Sequence, residues 1–126
     1  MPNALKNVLL IDDDPINNLI CRKKLHKAHQ HLSIVEFTLA RKGLEYLQQA
    51  QIEINLLLLD INMPDLNAWQ FLDGLVKASI SVPVVIITSS IDQEDMERAN
   101  NYKMIVGYVI KPVTDDKIAI MISHIS

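Results

Sequence analysis

The sequence predicts an α/β fold, a parallel sheet of five strands covered by helices on both faces. Two observations carry that prediction. Short apolar runs alternate five times with longer amphipathic segments along the 126-residue chain. The runs are continuously apolar rather than alternating, as in strands buried on both sides of a helix-sandwiched sheet. A third observation bears on function: polar residues stand directly after these runs, and ligands of such sheets bind at the carboxyl ends of the strands.

Val8-Leu9-Leu10-Ile11 reads as the first strand, followed by Asp12, Asp13, Asp14 and Pro15. From Pro15 to about His29, Ile16, Leu19, Ile20 and Leu25 recur at helical spacing and predict the apolar face of a helix. Ile34 to Leu39 is a second strand, and Leu44, Leu47 and Ala50 mark a helix from about Arg41 to Gln51. The leucine-rich run Ile54 to Ile61 is short, contains Asp60 and is closed by Asn62-Met63-Pro64-Asp65, which argues for a strand. Asn67 and Gln70 form a capping pair ahead of the apolar face Phe71, Leu72, Leu75 and Ala78. Val82 to Ile87 is the fourth strand, about Asp92 to Asn101 a short polar helix, and Ile105 to Ile110 the fifth strand. Thr114 is the expected cap of a last helix running nearly to Ser126.

Composition narrows the function classes. Hydrophobic residues at 49% and charged residues at 21% suit one globular domain over residues 1–126. Twelve basic against fifteen acidic residues, with no basic stripe, disfavour direct nucleic-acid binding. The single cysteine, Cys21, excludes an intramolecular disulfide. The apolar run behind the first seven residues is too short for a signal peptide. No run approaches the roughly 20 residues of a membrane span, so a cytoplasmic location without membrane contact is expected. Gly43, Gly74 and Gly107 do not form a glycine-rich phosphate loop.

In a parallel sheet, Asp12, Asp13 and Asp14, Asp60, Thr88-Ser89-Ser90 and Lys111-Pro112 would converge on one edge although they are far apart in sequence. Taken singly, each has an ordinary explanation as a turn former, helix cap, strand-end residue or solvated charge. The combination is more specific. Crowded carboxylates take up a proton or bind a cation, and oxygen-only ligands favour a hard ion such as Mg²⁺. A hydroxyl and an ammonium beside that cation form a receptor for a tetrahedral anion. A carboxylate in such a place can attack phosphorus, with the metal screening the incoming charge.

These residues resemble the receiver domain of bacterial two-component response regulators. Val8 to Pro15 is similar to that family's first strand and acidic cluster, and Leu57 to Pro64 to its phosphoacceptor segment. Pro83 to Thr88 resembles its switch strand, and Tyr108-Val109-Ile110-Lys111-Pro112 its lysine motif. The resemblance implies a flavodoxin-like, doubly wound sheet of order 2-1-3-4-5 with five flanking helices. It implies Asp60 as phosphoacceptor, and Asp13 as direct ligand of Mg²⁺, or of Mn²⁺ in its place. Asp12 would support the metal through water, and the Asn62 backbone carbonyl would complete the protein ligands. Lys111 and Thr88 would bind phosphoryl oxygens, and Tyr108 would move inward with Thr88 as the switch. Asp14 stays outside this set.

By the same resemblance the phosphodonor is a sensor histidine kinase or a histidine phosphotransfer protein. A downstream protein would read the face of helix four, strand five and helix five. The chain is then a signalling domain acting only in its own phosphorylation and dephosphorylation, not an enzyme with an external substrate. No output domain is expected, since the residues after Pro112 suffice for one helix; Met1 reads as a true start and the end at Ser126 stays open. Two departures stand out. Ser89 replaces a smaller residue and is expected to restrict phosphodonor access, and Leu66-Asn67-Ala68 replaces a glycine-containing segment.

Three rival readings fit less well. An aspartyl-phosphate hydrolase of the haloacid-dehalogenase type needs its nucleophile after the first strand, where the acidic cluster lies here. A flavin module would have its phosphate repelled by Asp12, Asp13 and Asp14. A purely structural domain gives no reason for five polar groups at the strand ends. His26, His29 and His31 read as a solvated helix end rather than a metal site, with His26 and His29 the pair able to share a face. Trp69, Met63 and Cys21 read as packing residues.

Overall fold

The computed structural model describes residues 6–125. The proposed start at Met1 lies outside them. Five strands, β1 (Lys6–Ile11), β2 (Leu32–Phe37), β3 (Leu56–Leu59), β4 (Val84–Thr88) and β5 (Ile105–Ile110), alternate with five helices. These are α1 (Pro15–Ala28), α2 (Ala40–Gln49), α3 (Ala68–Lys77), α4 (Gln93–Ala99) and α5 (Asp115–Ile122). All strand pairs are parallel and the order is β2-β1-β3-β4-β5, the predicted architecture.

Strand residues alternate between two cores because successive side chains point to opposite faces. Leu9, Ile11, Leu57, Leu59 and Ile86 pack with Phe71, Leu72 and Leu75 of α3 and Leu47 of α2. Val8, Leu10, Leu58, Val85 and Ile87 pack with Cys21 and Leu25 of α1 and Ile118 and Met121 of α5. Gly43 permits the close approach of α2 to the sheet: a Cβ there would run into the Ile11 side chain. On the edge strand the register passes from Val84–Ile105 to Val85–Gly107, skipping Val106 as a bulge.

Several expectations need correction. Ile16, Leu19 and Ile20 of α1 are exposed, at 68%, 40% and 43%, while Asn18, Cys21 and Leu25 face the sheet. Leu25 is buried as predicted; the inward face also carries Cys21 and Asn18, whose side-chain amide donates to the Asp12 carbonyl at 3.0 Å. β2 spans Leu32–Phe37, not Ile34–Leu39, because its neighbour β1 ends opposite Phe37. β3 is confined to Leu56–Leu59, although Asn55 and Asp60 continue its bonding to β1 through backbone amides. β4 runs from Val84 to Thr88, two residues later than its predicted start. α5 ends at Ile122, and Thr114 makes no capping bond with its side chain. Instead Lys117 donates to the Ile110 and Pro112 carbonyls and closes the loop ahead of the helix.

Other readings hold. Asn67 and Gln70 form a reciprocal capping box, with bonds of 2.8 and 3.0 Å. Cys21, Met63 and Trp69 are buried packing residues. His29 meets His31 edge-on rather than His26, whose ring instead approaches the Leu32 carbonyl at 3.1 Å.

Candidate functional site

The parallel strands bring their carboxyl ends to one edge, and there the separate polar residues meet. β1 delivers Asp12 and Asp13, β3 delivers Asp60, and the three carboxylates each place an oxygen within 4.8 Å of the others. Asp12 and Asp60 are buried at 2% and 6% exposure, whereas Asp13 is exposed. β5 delivers Lys111, whose ammonium lies 2.8 Å from Asp12 Oδ2 and 3.4 Å from Asp60 Oδ2. Thr88, at the end of β4, is fully buried; its carbonyl accepts from the Lys111 amide at 2.8 Å.

Electrostatics follow from this crowding. Burial, and next the charge of Asp12, push the Asp60 carboxyl up to about 6, against the pull of Lys111 and the Asn62 backbone amide. Asp13 is also raised, by desolvation first and by Asp12 second. Burial works against the Lys111 ammonium, but the hydrogen bond and charge of Asp12, with Asp60, raise its pKa overall. One ammonium therefore leaves excess negative charge among three carboxylates. That all-oxygen donor set fits a hard divalent cation better than a soft metal. Among the described residues it is the one group of His, Cys, Asp and Glu close enough together to hold an ion.

Asp12 is held more firmly than the sequence reading anticipated. Its Oδ1 accepts from the Asp14 amide at 2.9 Å, and its Oδ2 accepts from Asn17 Nδ2 at 2.7 Å as well as from Lys111. Asn17 and Asn18 thus position the acidic edge, and both were overlooked. Their signal was available: paired asparagines are poor residues for a helix interior unless their amides serve the backbone or a partner. Asp14 lies outside the cluster and caps α1, accepting from the Ile16 amide at 2.9 Å.

Tyr108 is half-buried, and its hydroxyl donates to the Ser90 carbonyl at 3.4 Å. Burial, and then the charge of Asp95, raise its phenol pKa. Ser89 is exposed, and Asn62 is exposed with its backbone amide turned to Asp60. Asp65, in the loop after β3, was also overlooked. Its carboxylate accepts from the Ala40 and Arg41 amides at 3.1 and 2.9 Å and caps α2, whose own N-cap residue Leu39 has no capping side chain.

Residues 8–123 match the sequence model of the response regulator receiver domain. A putative two-component response regulator of Arabidopsis thaliana is 30% identical over 119 residues, which cover 94% of this chain and 28% of that protein. The nitrate/nitrite response regulator protein NarL of Escherichia coli is 30% identical over 104 residues, or 82% of this chain and 47% of NarL. The chain therefore spans less than half the length of either relative. The crystal structure of a two component response regulator from Cytophaga hutchinsonii superposes with a TM-score of 0.79 at 26% identity, covering 97% of each chain.

Proposed function

This chain belongs to the response regulator receiver domain family of two-component signalling, and on that premise we propose that Asp60 accepts a phosphoryl group from a phosphohistidine. The observation that carries the reading is Lys111, placed between Asp12 and Asp60 with an Asp13 oxygen in the same cluster. This is a site for a cation and a phosphoryl group together. Its donor set fits Mg²⁺, which Asp13 would bind directly and Asp12 through water, with Asp60 and the Asn62 carbonyl completing the protein's share. Bound there, the ion would screen the negative charge of the incoming phosphoryl group.

In the transfer, an Asp60 carboxylate oxygen forms the new O–P bond as the P–N bond to the donor imidazole breaks, and the nitrogen keeps the electron pair. Lys111 exchanges its Asp60 contact for a phosphoryl oxygen and remains paired with Asp12. The Thr88 hydroxyl donates a hydrogen bond to another phosphoryl oxygen. Its displacement, with an inward shift of Tyr108, alters the α4–β5–α5 face that a downstream protein reads. The donor is a sensor histidine kinase or a phosphotransfer protein, and the setting is cytoplasmic. Among the described residues no helix is long and apolar enough to cross a membrane. The domain acts as one receiver unit over residues 1–126.

Intact-protein mass after incubation with acetyl phosphate tests this reading, with Mg²⁺ or EDTA and beside Asp60→Asn. A gain of one phosphoryl group that needs Mg²⁺ and disappears in the variant is expected. No gain here, followed by no gain from a phosphorylated histidine donor protein, overturns it.

A further inference from the structure

Ser90 has all of its polar groups engaged. Its amide donates to Thr88 Oγ1 at 3.0 Å, and its hydroxyl donates to Asp95 Oδ2 at 2.9 Å while accepting from the Asp92 amide at 3.2 Å. Its carbonyl accepts from Tyr108. Asp92 is the N-cap of α4, and Asp95 lies in the first turn of that helix. One serine therefore joins the buried threonine at the end of β4 to the start of α4.

We propose that Ser90 is a positioning residue that couples the Thr88 hydroxyl to α4 through Asp95. The inference rests on the phosphoacceptor reading above and adds to it a route into α4 that runs through the Ser90 hydroxyl and Asp95. A hydroxyl has one proton and two acceptor sites, so Thr88 can accept from Ser90 and still donate to a phosphoryl oxygen. It cannot move toward Asp60 without stretching its 3.0 Å bond to the Ser90 amide, and such bonds weaken steeply with poor geometry. Ser90 must follow the threonine or lose it, and either outcome disturbs the hydroxyl that Asp92 and Asp95 share. Coupling of this kind is reciprocal.

The protein carries its own reporter. Trp69, the single tryptophan, stacks on Tyr102 at 5.7 Å and lies beneath Arg98 of α4 at 5.2 Å, so its emission responds to displacement of that helix. The test is the change in Trp69 emission per phosphoryl group, with occupancy read by intact mass in the same acetyl phosphate and Mg²⁺ samples. Ser90→Ala and Asp95→Ala are expected to cut that ratio by about half or more, and Ser90→Thr, which keeps the hydroxyl, to restore it. In the unphosphorylated protein, Ser90→Ala is expected to speed amide exchange over α4 by about threefold or more. An undiminished ratio in both alanine variants overturns the coupling and leaves the Asp60 reading standing. So does a phosphorylated wild type whose emission is unchanged. A wild type that takes no phosphoryl group at Asp60 from either kind of donor overturns the reading itself and the coupling with it.

Discussion

The Lys111 ammonium sits 2.8 Å from the Asp12 carboxylate, a pair formed across the carboxyl edge of the sheet by the second strand in spatial order and the edge strand. Its contact with Asp60 is longer, at 3.4 Å. The lysine thus neutralises a residue proposed to support the metal as well as the proposed phosphoacceptor, and it competes with a cation for the same negative charge.

Lys111→Met separates these two roles. Mg²⁺ binding measured by titration calorimetry is expected to tighten several-fold, because the competing charge is gone. Phosphorylation by acetyl phosphate is expected to slow by about tenfold or more, the loss of one positioned cation at a developing phosphoryl charge. Weaker Mg²⁺ binding in this variant would contradict the competition.

The Asp60 carboxyl, pushed up to about 6 without metal, makes stability depend on pH. The unfolded chain ionises near 3.9, so between roughly pH 4 and 6 the native state binds more protons and loses stability as pH rises. In EDTA at pH 7, Asp60→Asn is expected to be more stable than wild type by about 1–2 kcal/mol in urea unfolding. The difference should vanish near pH 4, where both side chains are neutral. Excess Mg²⁺ at pH 7 should raise the Tm of wild type more than that of the variant.

Asp65 works in the opposite direction. Burial is the largest single influence and raises its pKa, but the Arg41 and Ala40 amides together outweigh it and hold the carboxyl below its usual value. The capping contribution is therefore present above about pH 4 and lost as pH falls through the lowered native pKa. Asp65→Ala is expected to cost about 1 kcal/mol at pH 7, and less near pH 3, by chemical denaturation. An equal loss at both pH values would mean the carboxylate is not the cap.

Ser79 closes α3 with φ of 58°, in the left-handed region that favours glycine. The Ile80 amide reaches back to the Leu75 carbonyl at 2.9 Å and completes the helix stop. Ser79→Gly is expected to stabilise the protein by about 0.5–1 kcal/mol, read from the urea midpoint at unchanged slope.

By itself the sequence determined whatever depends on local pattern. Continuous apolar runs are legible because a strand buried on both faces has no polar side, and the Asn67–Gln70 capping box is legible because its bonds span three residues. The carboxyl-edge residues Asp12, Asp13, Asp60, Thr88 and Lys111 were legible for a related reason. A parallel sheet sends every strand end the same way, so position after an apolar run is enough to group them. Tertiary structure decided what depends on partners remote in the chain. The inward face of α1 belongs to Asn18, Cys21 and Leu25 and not to Ile16, Leu19 and Ile20, because that face meets both the core shared with α5 and the Asp12 carbonyl, which accepts from the Asn18 amide. The cap of α2 comes from Asp65, in a loop that only the sheet brings alongside. The link from Thr88 through Ser90 to Asp95 is short in sequence, yet its geometry depends on where β4 ends and α4 begins. Hydrogen bonds are directional and each group has few sites for them, so the choice among equivalent donors is made by the assembled fold.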